Sequence, residues 1–326
     1  MKTIAIVGAS GLVGEKLRDI LADKAANSNI RLFGNNSVGQ KVEFRHRKLT
    51  VEHCDKLTDG NIDYAMFMAT DDVSKEYIPK LLDSNVTVID NSAYFRLKKD
   101  VPLVVPSING KLIKDSKLIA NPNCSTIQTV IAVNALKELE PTAMTAVTYQ
   151  AASGAGKQGL DDLKYANGYG KLQAFAHPVY DNVIPCIGSV RKDGFTSEER
   201  KLVDESRKIL DLPRLRVNGM CVRIPVTVGH CVFVNLRLRK KINLDEIREM
   251  LRSEPNVLLM DEIQNGVYPM PITLRNTKYV GVGRITKDPT SNAVNMFVVA
   301  DNLLRGAAYN AYEILERAAF YDGVTL

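Results

Sequence analysis

Short apolar runs alternate with helix-like segments along the first third of the chain. Residues 2–7 form the first strand candidate, and residues 15–25 follow as a helix whose apolar side chains recur at helical spacing. Further strands are predicted at 30–33, 63–69, 86–89, 103–105 and 118–120. Because strands that alternate with helices build mostly parallel sheets, this part of the chain is predicted to be a doubly wound α/β domain.

The pattern changes after residue 140, where polar and apolar positions alternate along longer strands. These strands are predicted at 142–150, 216–226, 232–239, 279–285 and 294–299, with a helix at 198–210. Such alternation is typical of an antiparallel-rich sheet with helices on one face, which makes the second domain α+β. Residues 301–320 are predicted to be an amphipathic helix that returns to the first domain. The predicted domains are 1–124 with 301–326, and 125–300.

The turn after the first strand has glycines at positions 8, 11 and 14. A strand, a glycine turn and a helix make the first unit of a Rossmann-like fold, in which a dinucleotide pyrophosphate lies at the helix N-terminus. Ligands of such sheets bind at the carboxyl ends of strands, where Thr70 and Ser92 also fall. The second strand leads to Asn36 and Ser37 rather than to an acid that would bond the ribose 2′-hydroxyl of NAD. NADP is therefore the favoured cofactor.

Cys124 is the first candidate for catalysis, because it lies between a strand and a long apolar helix candidate at 127–139. At such a turn, backbone N–H groups and the positive end of the helix dipole favour a thiolate. The same N–H groups could hold an oxyanion or a departing phosphate. The alternative is that Cys124 is a small buried apolar residue, as most free cysteines are. Position alone leaves both interpretations open.

Arg223 and His230 lie in a second informative stretch, Arg-Ile-Pro-Val-Thr-Val-Gly-His. A guanidinium within a strand matches a carboxylate bidentately, and an imidazole has acid–base chemistry near neutral pH. The alternative for His230 is an ordinary turn residue. Gln150 precedes a second glycine-rich turn and could orient a substrate amide or carboxylate. Arg96, just after the strand at 86–89, is either a ligand or a surface charge.

The composition excludes several classes of protein. A chain of 326 residues with 25% charged and 45% hydrophobic residues is expected to be a soluble globular protein with two domains. No apolar run reaches membrane-spanning length, and the net charge of +6 is not gathered into aromatic-rich basic patches, so neither membrane nor nucleic acid is an expected partner. Five cysteines without C-x-x-C favour reduced thiols in a cytoplasm. Four histidines without zinc-type spacing favour no metal site.

Several motifs follow one another in a fixed order along the chain. They are Gly-Ala-Ser-Gly-Leu-Val-Gly at 8–14, Asp-Asn-Ser-Ala at 90–93, Val-Pro-Leu-Val-Val-Pro at 101–106, Asn-Pro-Asn-Cys-Ser-Thr at 121–126, Gln-Ala-Ala-Ser-Gly-Ala-Gly at 150–156, Arg-Ile-Pro at 223–225 with Gly-His at 229–230, and Ala-Asp-Asn-Leu-Leu-Arg-Gly-Ala-Ala at 300–308. Together they resemble the aspartate-β-semialdehyde dehydrogenase family nearly from end to end. The resemblance implies NADPH-dependent reductive dephosphorylation of L-aspartyl 4-phosphate to L-aspartate 4-semialdehyde through a cysteine thioacyl intermediate. It implies a place in lysine, threonine, methionine and diaminopimelate biosynthesis, and a homodimer built through the second domain.

The resemblance also implies roles for individual residues. Cys124 would be the nucleophile and His230 the acid/base catalyst. Gln150, Arg223 and Glu198 would hold the amino acid substrate, and Arg96, Asn123 and Lys201 would line the phosphate pocket. The residues expected to contact NADP, with Thr70 and Ser92 added because of their position, are Gly8, Ser10, Gly11, Leu12, Val13, Asn36, Ser37, Thr70, Ser92, Ser153, Gly154 and Asn302.

This chain departs from the family pattern in two places. Cys231 and Val232 follow His230 where the family commonly has Ser-Glu, and Asn36-Ser37 stand where it usually has Arg-Ser. Two other functions stay open: an N-acetylglutamyl-phosphate reductase, with the same chemistry on a longer substrate, and a non-catalytic NADP-sensing module. A glyceraldehyde-3-phosphate dehydrogenase would need a phosphate subsite in place of the Arg223 carboxylate site.

Overall fold

The computed structural model of the protein describes residues 1–164 and 171–326. The chain divides into two compact units, of which the first is Met1–Pro122 with Ala307–Leu326 and the second is Asn123–Gly306. Each unit is built on a sheet of its own. Among the described residues, no helix has both the length and the apolar character that crossing a bilayer requires.

The first unit is described in full, and its sheet has seven strands in the order β3-β4-β2-β1-β5-β6-β7. The strands are β1 (Lys2–Val7), β2 (Ser28–Phe33), β3 (Lys41–Phe44), β4 (Arg47–Glu52), β5 (Tyr64–Phe67), β6 (Thr87–Asp90) and β7 (Leu118–Ala120). Neighbouring strands are parallel, except for the pair β3 and β4. The helices are α1 (Leu12–Lys24), α2 (Asp71–Leu82), the short α3 (Pro106–Asn109) and the C-terminal α9 (Tyr309–Tyr321). The predicted doubly wound sheet is confirmed.

Both faces of this sheet are covered, which explains why its central strands are apolar throughout. Along β1, Ile4 and Ile6 join a buried cluster with Leu17 of α1 and Leu315 of α9. The side chain between them, Ala5, points to the opposite face and is fully buried as well. The C-terminal helix is therefore part of the core of the first unit, as predicted.

Residues 103–105, which are predicted as a strand, do not form one. Leu103 makes only an isolated bridge to Ala120. The flanking Pro102 and Pro106 have no N–H groups with which to extend a ladder. The apolar run is buried, but its backbone pairs with β7 for only a single residue.

The C-terminal helix begins later than the predicted residue 301. Asp301 Oδ1 accepts the backbone N–H groups of Leu303 and Leu304, both at 2.9 Å, so the chain turns there instead of continuing as a regular helix. A π-helical turn at Leu304–Ala308 follows, and α9 starts at Tyr309. Turns of this kind occur frequently at functional sites.

The described residues of the second unit form a six-stranded sheet in the order β11-β12-β13-β10-β8-β9. The strands are β8 (Pro141–Gln150), β9 (Arg216–Arg223), β10 (His230–Leu238), β11 (Val257–Leu259), β12 (Val280–Lys287) and β13 (Ala293–Ala300). The four central strands are antiparallel, whereas β9 and β11 run parallel to their neighbours. The helices are α4 (Cys124–Ala135), α5 (Gly156–Lys164), α6 (Ser197–Leu210), α7 (Leu244–Ser253) and the short α8 (Pro271–Leu274). The predicted α+β character is confirmed.

Helix α4 is buried along nearly its whole length, which explains why its apolar residues are not confined to one face. Gln128 Nε2 donates to the backbone oxygens of His230 on β10 and Val298 on β13, at 3.0 and 3.1 Å. Gln128 lies one turn beyond Cys124 on the same helix. The two bonds therefore hold the start of β10, where His230 lies, against the N-terminal half of α4.

Candidate active site

Cys124 is the first residue of α4 and is partly exposed. Asn123 precedes it in an extended conformation and caps the helix, because its Oδ1 accepts the backbone N–H groups of Ser125 and Thr126 at 3.0 and 3.4 Å. The helix begins three residues before the predicted start at 127. Cys124 thus lies at the positive end of a buried helix, a position that stabilises negative charge.

Two carboxylates of α6 hold Asn123 in place. Glu198 Oε1 accepts from Asn123 Nδ2 at 2.8 Å, and Glu205 Oε2 accepts from the backbone N–H of Asn123 at 2.7 Å. Both acids are buried, and they lie two turns apart on the helix. Sequence reasoning missed Glu205, because an acid on an amphipathic helix is ordinarily exposed. The side chain of Asn123 is engaged within the second unit, and its predicted contact with phosphate stays a prediction.

A capping box fixes where α6 begins and thereby where Glu198 lies. The Thr196 hydroxyl accepts the N–H of Glu199 at 3.3 Å, and the Glu199 carboxylate accepts the N–H of Thr196 at 2.7 Å. Glu198 also accepts from Gln150 Nε2 at 3.3 Å and from Lys201 Nζ at 3.2 Å. Burial raises the pKa of Glu198, but the Lys201 cation and the hydrogen bonds outweigh burial and hold the pKa below its usual value. Three predicted site residues thus meet around an ionised carboxylate.

Arg223 ends β9, and its guanidinium is buried. Nη1 donates to the backbone oxygen of Ala151 at 2.6 Å, whereas Nε has no hydrogen-bond partner among residues 1–164 and 171–326. Burial lowers the pKa of Arg223, and negative charge at Cys124 and Glu198 opposes that shift. A buried guanidinium with an N–H still to be satisfied suits a carboxylate ligand.

His230 opens β10 and is fully buried. Its Nδ1 accepts the backbone N–H of Ala151 at 3.0 Å, so a neutral ring in this arrangement carries its proton on Nε2. Nε2 has no hydrogen-bond partner in the described part of the chain. Burial and the positive charge of Arg223 lower the pKa of His230 to about 3, and the carboxylate of Glu198 offsets only part of that shift. A neutral His230 therefore offers an N–H donor to the site.

Two glycines leave room for these side chains. A Cβ at Gly154 would lie 2.8 Å from Arg223 Nη1 and 3.2 Å from His230 Nε2. A Cβ at Gly306 would lie 3.0 Å from Cys124 Cβ. Gly154 therefore places Arg223 and His230 on one side of the same short turn. Gly306 belongs to a motif visible in the sequence, but its packing against Cys124 could not be inferred from that motif.

Ser153 and Asn302, both predicted to contact the cofactor, bond each other. Asn302 Nδ2 donates to Ser153 Oγ at 3.0 Å, and Asn302 Oδ1 accepts the backbone N–H of Gly229 at 2.8 Å. Gly229 directly precedes His230, and Gly154 directly follows Ser153. The three predicted cofactor residues of the second unit thus lie beside the imidazole.

The glycine turn of the first unit accepts no larger residue at two of its three positions. Gly8 has a φ of +79°, and a Cβ there would lie 2.3 Å from a backbone oxygen. A Cβ at Gly14 would lie 2.3 Å from the backbone oxygen of Gly8. Gly11 is the N-cap of α1, so Leu12 and Val13 carry N–H groups that the helix itself does not satisfy. With Ser10 in the same turn, this arrangement fits a pyrophosphate.

The other predicted ligands of the first unit also follow the carboxyl ends of strands. Asn36 and Ser37 lie in the turn after β2, where Asn36 is exposed, and an exposed Thr70 occupies the N-cap position of α2 without a side-chain capping bond. The Ser92 hydroxyl donates to the buried Asp90 carboxylate at 2.6 Å. Arg96 is buried, and its Nη2 donates to the backbone oxygen of residue 91 at 2.7 Å.

Known families match both halves of the chain. Residues 3–116 match the semialdehyde dehydrogenase NAD binding domain, and residues 134–305 match the semialdehyde dehydrogenase dimerisation domain. An aspartate-semialdehyde dehydrogenase of Aquifex aeolicus is 40% identical over 328 residues, covering 96% of both chains. The chain belongs to the aspartate-semialdehyde dehydrogenase family.

Solved structures with the same fold support this membership. Aspartate-semialdehyde dehydrogenase II of Vibrio cholerae, complexed with ASA, matches with a TM-score of 0.92 and 32% identity over 98% of each chain. The Candida albicans enzyme, solved with NADP, shares the fold with a TM-score of 0.80 at 23% identity over 99% of each chain. The resemblance drawn from the motifs is therefore confirmed. The protein is an oxidoreductase of this family and contains its nicotinamide-nucleotide-binding domain.

Proposed function

We infer that this aspartate-semialdehyde dehydrogenase acts through Cys124 as nucleophile and His230 as acid/base group, with NADPH as reductant. The observation that carries this mechanism is the placement of Cys124 at the start of α4, with Gln128 of the same helix bonded to the backbone of His230. Gly154 would contact both Arg223 and His230 if it carried a Cβ, so the proposed carboxylate-binding and acid/base groups lie close to the same residue.

In the first step, the Cys124 thiolate attacks the acyl carbon of L-aspartyl 4-phosphate. The positive end of the α4 dipole and the Nε2–H group of His230 stabilise the oxyanion. Breaking of the bond between carbon and the phosphate oxygen leaves a thioester on Cys124, and the cation of Lys201 receives the phosphate. The contribution predicted for Arg96, which belongs to the first unit, stays a prediction.

The second step is reduction of the thioester, for which NADPH, when bound, would supply the hydride. His230 directs Nε2–H at the carbonyl oxygen, where it stabilises the negative charge that develops there. Complete transfer of a proton requires the imidazolium, a form that burial and the positive charge of Arg223 oppose and the carboxylate of Glu198 favours. Collapse of the thiohemiacetal on Cys124 releases the aldehyde and restores the thiolate.

The substrate is held by charges that match an amino acid. Arg223 binds the α-carboxylate, for which its Nε–H is available. The ionised Glu198 carboxylate suits the α-ammonium group, and Gln150, bonded to Glu198 at 3.3 Å, lies beside it. The Vibrio cholerae relative, which is complexed with ASA, supports this class of substrate.

The glycine turn at 8–14 is assigned to the pyrophosphate of the cofactor, with Ser153, Gly154 and Asn302 as further contacts. No carboxylate stands at Asn36 or Ser37 to repel a ribose 2′-phosphate, which supports NADP over NAD. The Candida albicans relative solved with NADP agrees with this assignment.

Replacing the nucleophile tests the mechanism. Cys124→Ser is expected to retain less than about 1% of the phosphate-dependent formation of NADPH from L-aspartate semialdehyde, because an alkoxide is not available at neutral pH. Cys186→Ser, at an exposed cysteine, is the matched control and should keep full activity. Substantial turnover by Cys124→Ser would rule the mechanism out. Greater activity of the native enzyme with N-acetylglutamate semialdehyde would favour the alternative reductase.

A homodimer and a cytoplasmic location complete the proposal. The second unit carries an apolar groove of about 640 Å³ lined by residues that include Tyr149, Cys231, Met270 and Phe297, within the stretch that matches a dimerisation domain. Phe297→Asp should shift sedimentation from dimer to monomer, and a native chain that sediments as a monomer would contradict the proposal. None of the five cysteines, all of which lie in the described part of the chain, forms a disulfide bond, which supports a reducing compartment.

A further inference from the structure

Asp162 on α5 is a fully buried carboxylate whose hydrogen-bond donors among residues 1–164 and 171–326 are all backbone N–H groups. Its Oδ2 accepts the N–H groups of Gln173, Ala174 and Phe175 at 3.1, 2.8 and 3.0 Å, and its Oδ1 accepts that of Gln173 at 2.9 Å. Three consecutive N–H groups thus converge on one side chain. The neighbouring Asp161 instead pairs with Lys164 at the surface, at 2.8 Å.

The negative charge of Asp162 strengthens its hydrogen bonds to the backbone of residues 173–175. Burial raises the pKa of Asp162, but the three backbone donors outweigh burial and hold the pKa below its usual value. The carboxylate is therefore ionised at neutral pH, and its hydrogen bonds are of the stronger, charge-assisted kind. It fixes the backbone of residues 173–175 in one conformation.

The anchored segment places the ring of Phe175 beside the guanidinium of Arg223. The distance from Arg223 Cζ to the ring centroid is 5.5 Å, within the range of a cation–π contact. The ring also lies close to α5, since a Cβ at Gly159 would lie 3.2 Å from Phe175 Cζ. The absence of a side chain at Gly159 thus leaves room for the ring.

Arg223 is consequently held at two places. Its Nη1 is fixed by the backbone oxygen of Ala151 at 2.6 Å, and its Cζ by the ring of Phe175. Nε is left without a partner among the described residues. A guanidinium is planar, and contacts at two places fix the direction in which its remaining N–H groups point, which favours bidentate binding of a carboxylate.

We propose that Asp162 and Phe175 are positioning residues that set the orientation of Arg223 toward the α-carboxylate of the substrate. The proposal rests on the role of Arg223 given under Proposed function. Asp162 acts through the backbone of Phe175, and Phe175 acts through its ring on the guanidinium. Neither residue is a catalytic residue, and neither is recognisable as part of the site from the sequence.

The first test compares Phe175→Leu and Asp162→Asn with Asp161→Asn as the matched control. Assayed as holoenzymes, both variants should have a KM for L-aspartate semialdehyde about 5- to 30-fold higher than that of the native enzyme. This range is the loss of affinity expected when a desolvated cation–π contact is removed. The turnover number and the rate at which iodoacetamide alkylates Cys124 should stay within about threefold of the native values, because the nucleophile is not touched. Asp161→Asn should leave every value unchanged.

A second measurement separates positioning from general destabilisation. If Asp162 acts only through the ring, the double variant should show no larger rise in KM than Phe175→Leu alone. With 3-aminopropanal, which keeps the aldehyde and amine but lacks the carboxylate, Phe175→Leu and the native enzyme should have equal kcat/KM. A Phe175→Leu penalty that persists with 3-aminopropanal would overturn the proposal.

Other outcomes also decide the question. Unchanged KM in Phe175→Leu, or effects of the two changes that multiply in the double variant, would overturn the proposal while leaving the activity itself in place. If Asp162→Asn does not fold, Phe175→Leu and the carboxylate-free substrate still decide the outcome. Lack of turnover by the native enzyme would instead refute the proposed function.

Discussion

Replacing Gly154 by alanine adds one methyl group to the site at a position where the backbone tolerates it. Gly154 does not have a positive φ, so the substitution introduces no backbone strain. The added Cβ would, however, lie 2.8 Å from Arg223 Nη1 and 3.2 Å from His230 Nε2. Arg223 and His230, to which the proposed mechanism assigns the substrate carboxylate and the reacting oxygen, must therefore both move.

The size of that movement sets the expected loss of activity. Arg223 Nη1 must retreat by about 0.6 Å to reach the 3.4 Å at which ordinary contact begins. Displacement of catalytic groups by about 1 Å can cost on the order of 100-fold in rate. We expect kcat/KM for Gly154→Ala to fall about 10- to 100-fold, with little change in thermal stability.

The assay is phosphate-dependent formation of NADPH from L-aspartate semialdehyde, together with a thermal melt. Gly156→Ala, in the same turn, is the matched control. At Gly156 φ is +74° and no atom lies within 4 Å of an added Cβ, so alanine meets strain but no neighbour. Gly156→Ala should lose about 1–3 kcal/mol of stability, because its φ of 74° with a ψ of −160° is a conformation that almost only glycine adopts, and it should keep its kcat/KM.

Gly154→Ala should thus lose activity and keep its stability, whereas Gly156→Ala should lose stability and keep its activity. Activity of Gly154→Ala within about threefold of native would refute the reasoning, because the steric conflict would then be relieved without disturbing either side chain. A loss confined to the affinity for NADPH, measured by its fluorescence, would mean that Gly154 serves the cofactor and not the substrate groups.

Three further changes test other parts of the site. Gln128→Leu removes the donor to two buried carbonyl oxygens, so urea unfolding should show a loss of about 1–3 kcal/mol per unsatisfied group; Thr129→Val, whose hydroxyl bonds within α4, is its control. The pKa of His230 is about 3 when folded and 6.5 when unfolded, so stability falls as the pH drops from 6.5 toward 3, by up to about 1.4 kcal/mol per unit. His230→Gln should lack this slope between pH 6.5 and 5, and an unchanged slope would contradict the assignment. Gly306→Ala, whose Cβ would lie 3.0 Å from Cys124 Cβ, should lower kcat about tenfold or more. An unchanged kcat would show that the turn around Gly306 can shift without displacing Cys124.

Local patterns predict those parts of the fold whose contacts are local. Residues 2–7, an unbroken apolar run before a glycine turn, form the strand predicted for them. The hairpin of β3 and β4 was missed, because its turn residues Arg45 and His46 have φ values of 47° and 61° without the Asn-Gly signature of such turns. The side chain of Arg45 donates to carbonyl oxygens in the last turn of α1, at 2.8 Å for that of Leu21, which compensates for the strained backbone. That compensation spans 24 residues and leaves no trace in a short window of sequence.

The residues of the candidate site likewise fall into those that the sequence indicates and those that depend on contacts between distant parts of the chain. Family motifs indicated Gln150, Glu198 and Lys201, which the structure brings together. Asp162 and Glu205 could not be predicted, since an acid on a helix is expected in solvent unless a partner is visible. Their partners are backbone N–H groups supplied by distant turns, which any residue type other than proline could supply. Which carboxylates are buried and bonded to backbone N–H groups is therefore visible only in the folded structure.

The departure from the family pattern at Cys231 is explained by the alternation of side chains along β10. Because successive residues of a strand point to opposite faces, Cys231 faces away from its neighbour His230. It packs in a cluster with Val299 and Leu274 and lines the apolar groove of the second unit. Burial raises the pKa of Cys231 to about 12, so its thiol behaves as an apolar group. A change from serine to cysteine at this position therefore alters the groove and leaves unaffected the bonds to Ala151 and Gln128 that fix His230.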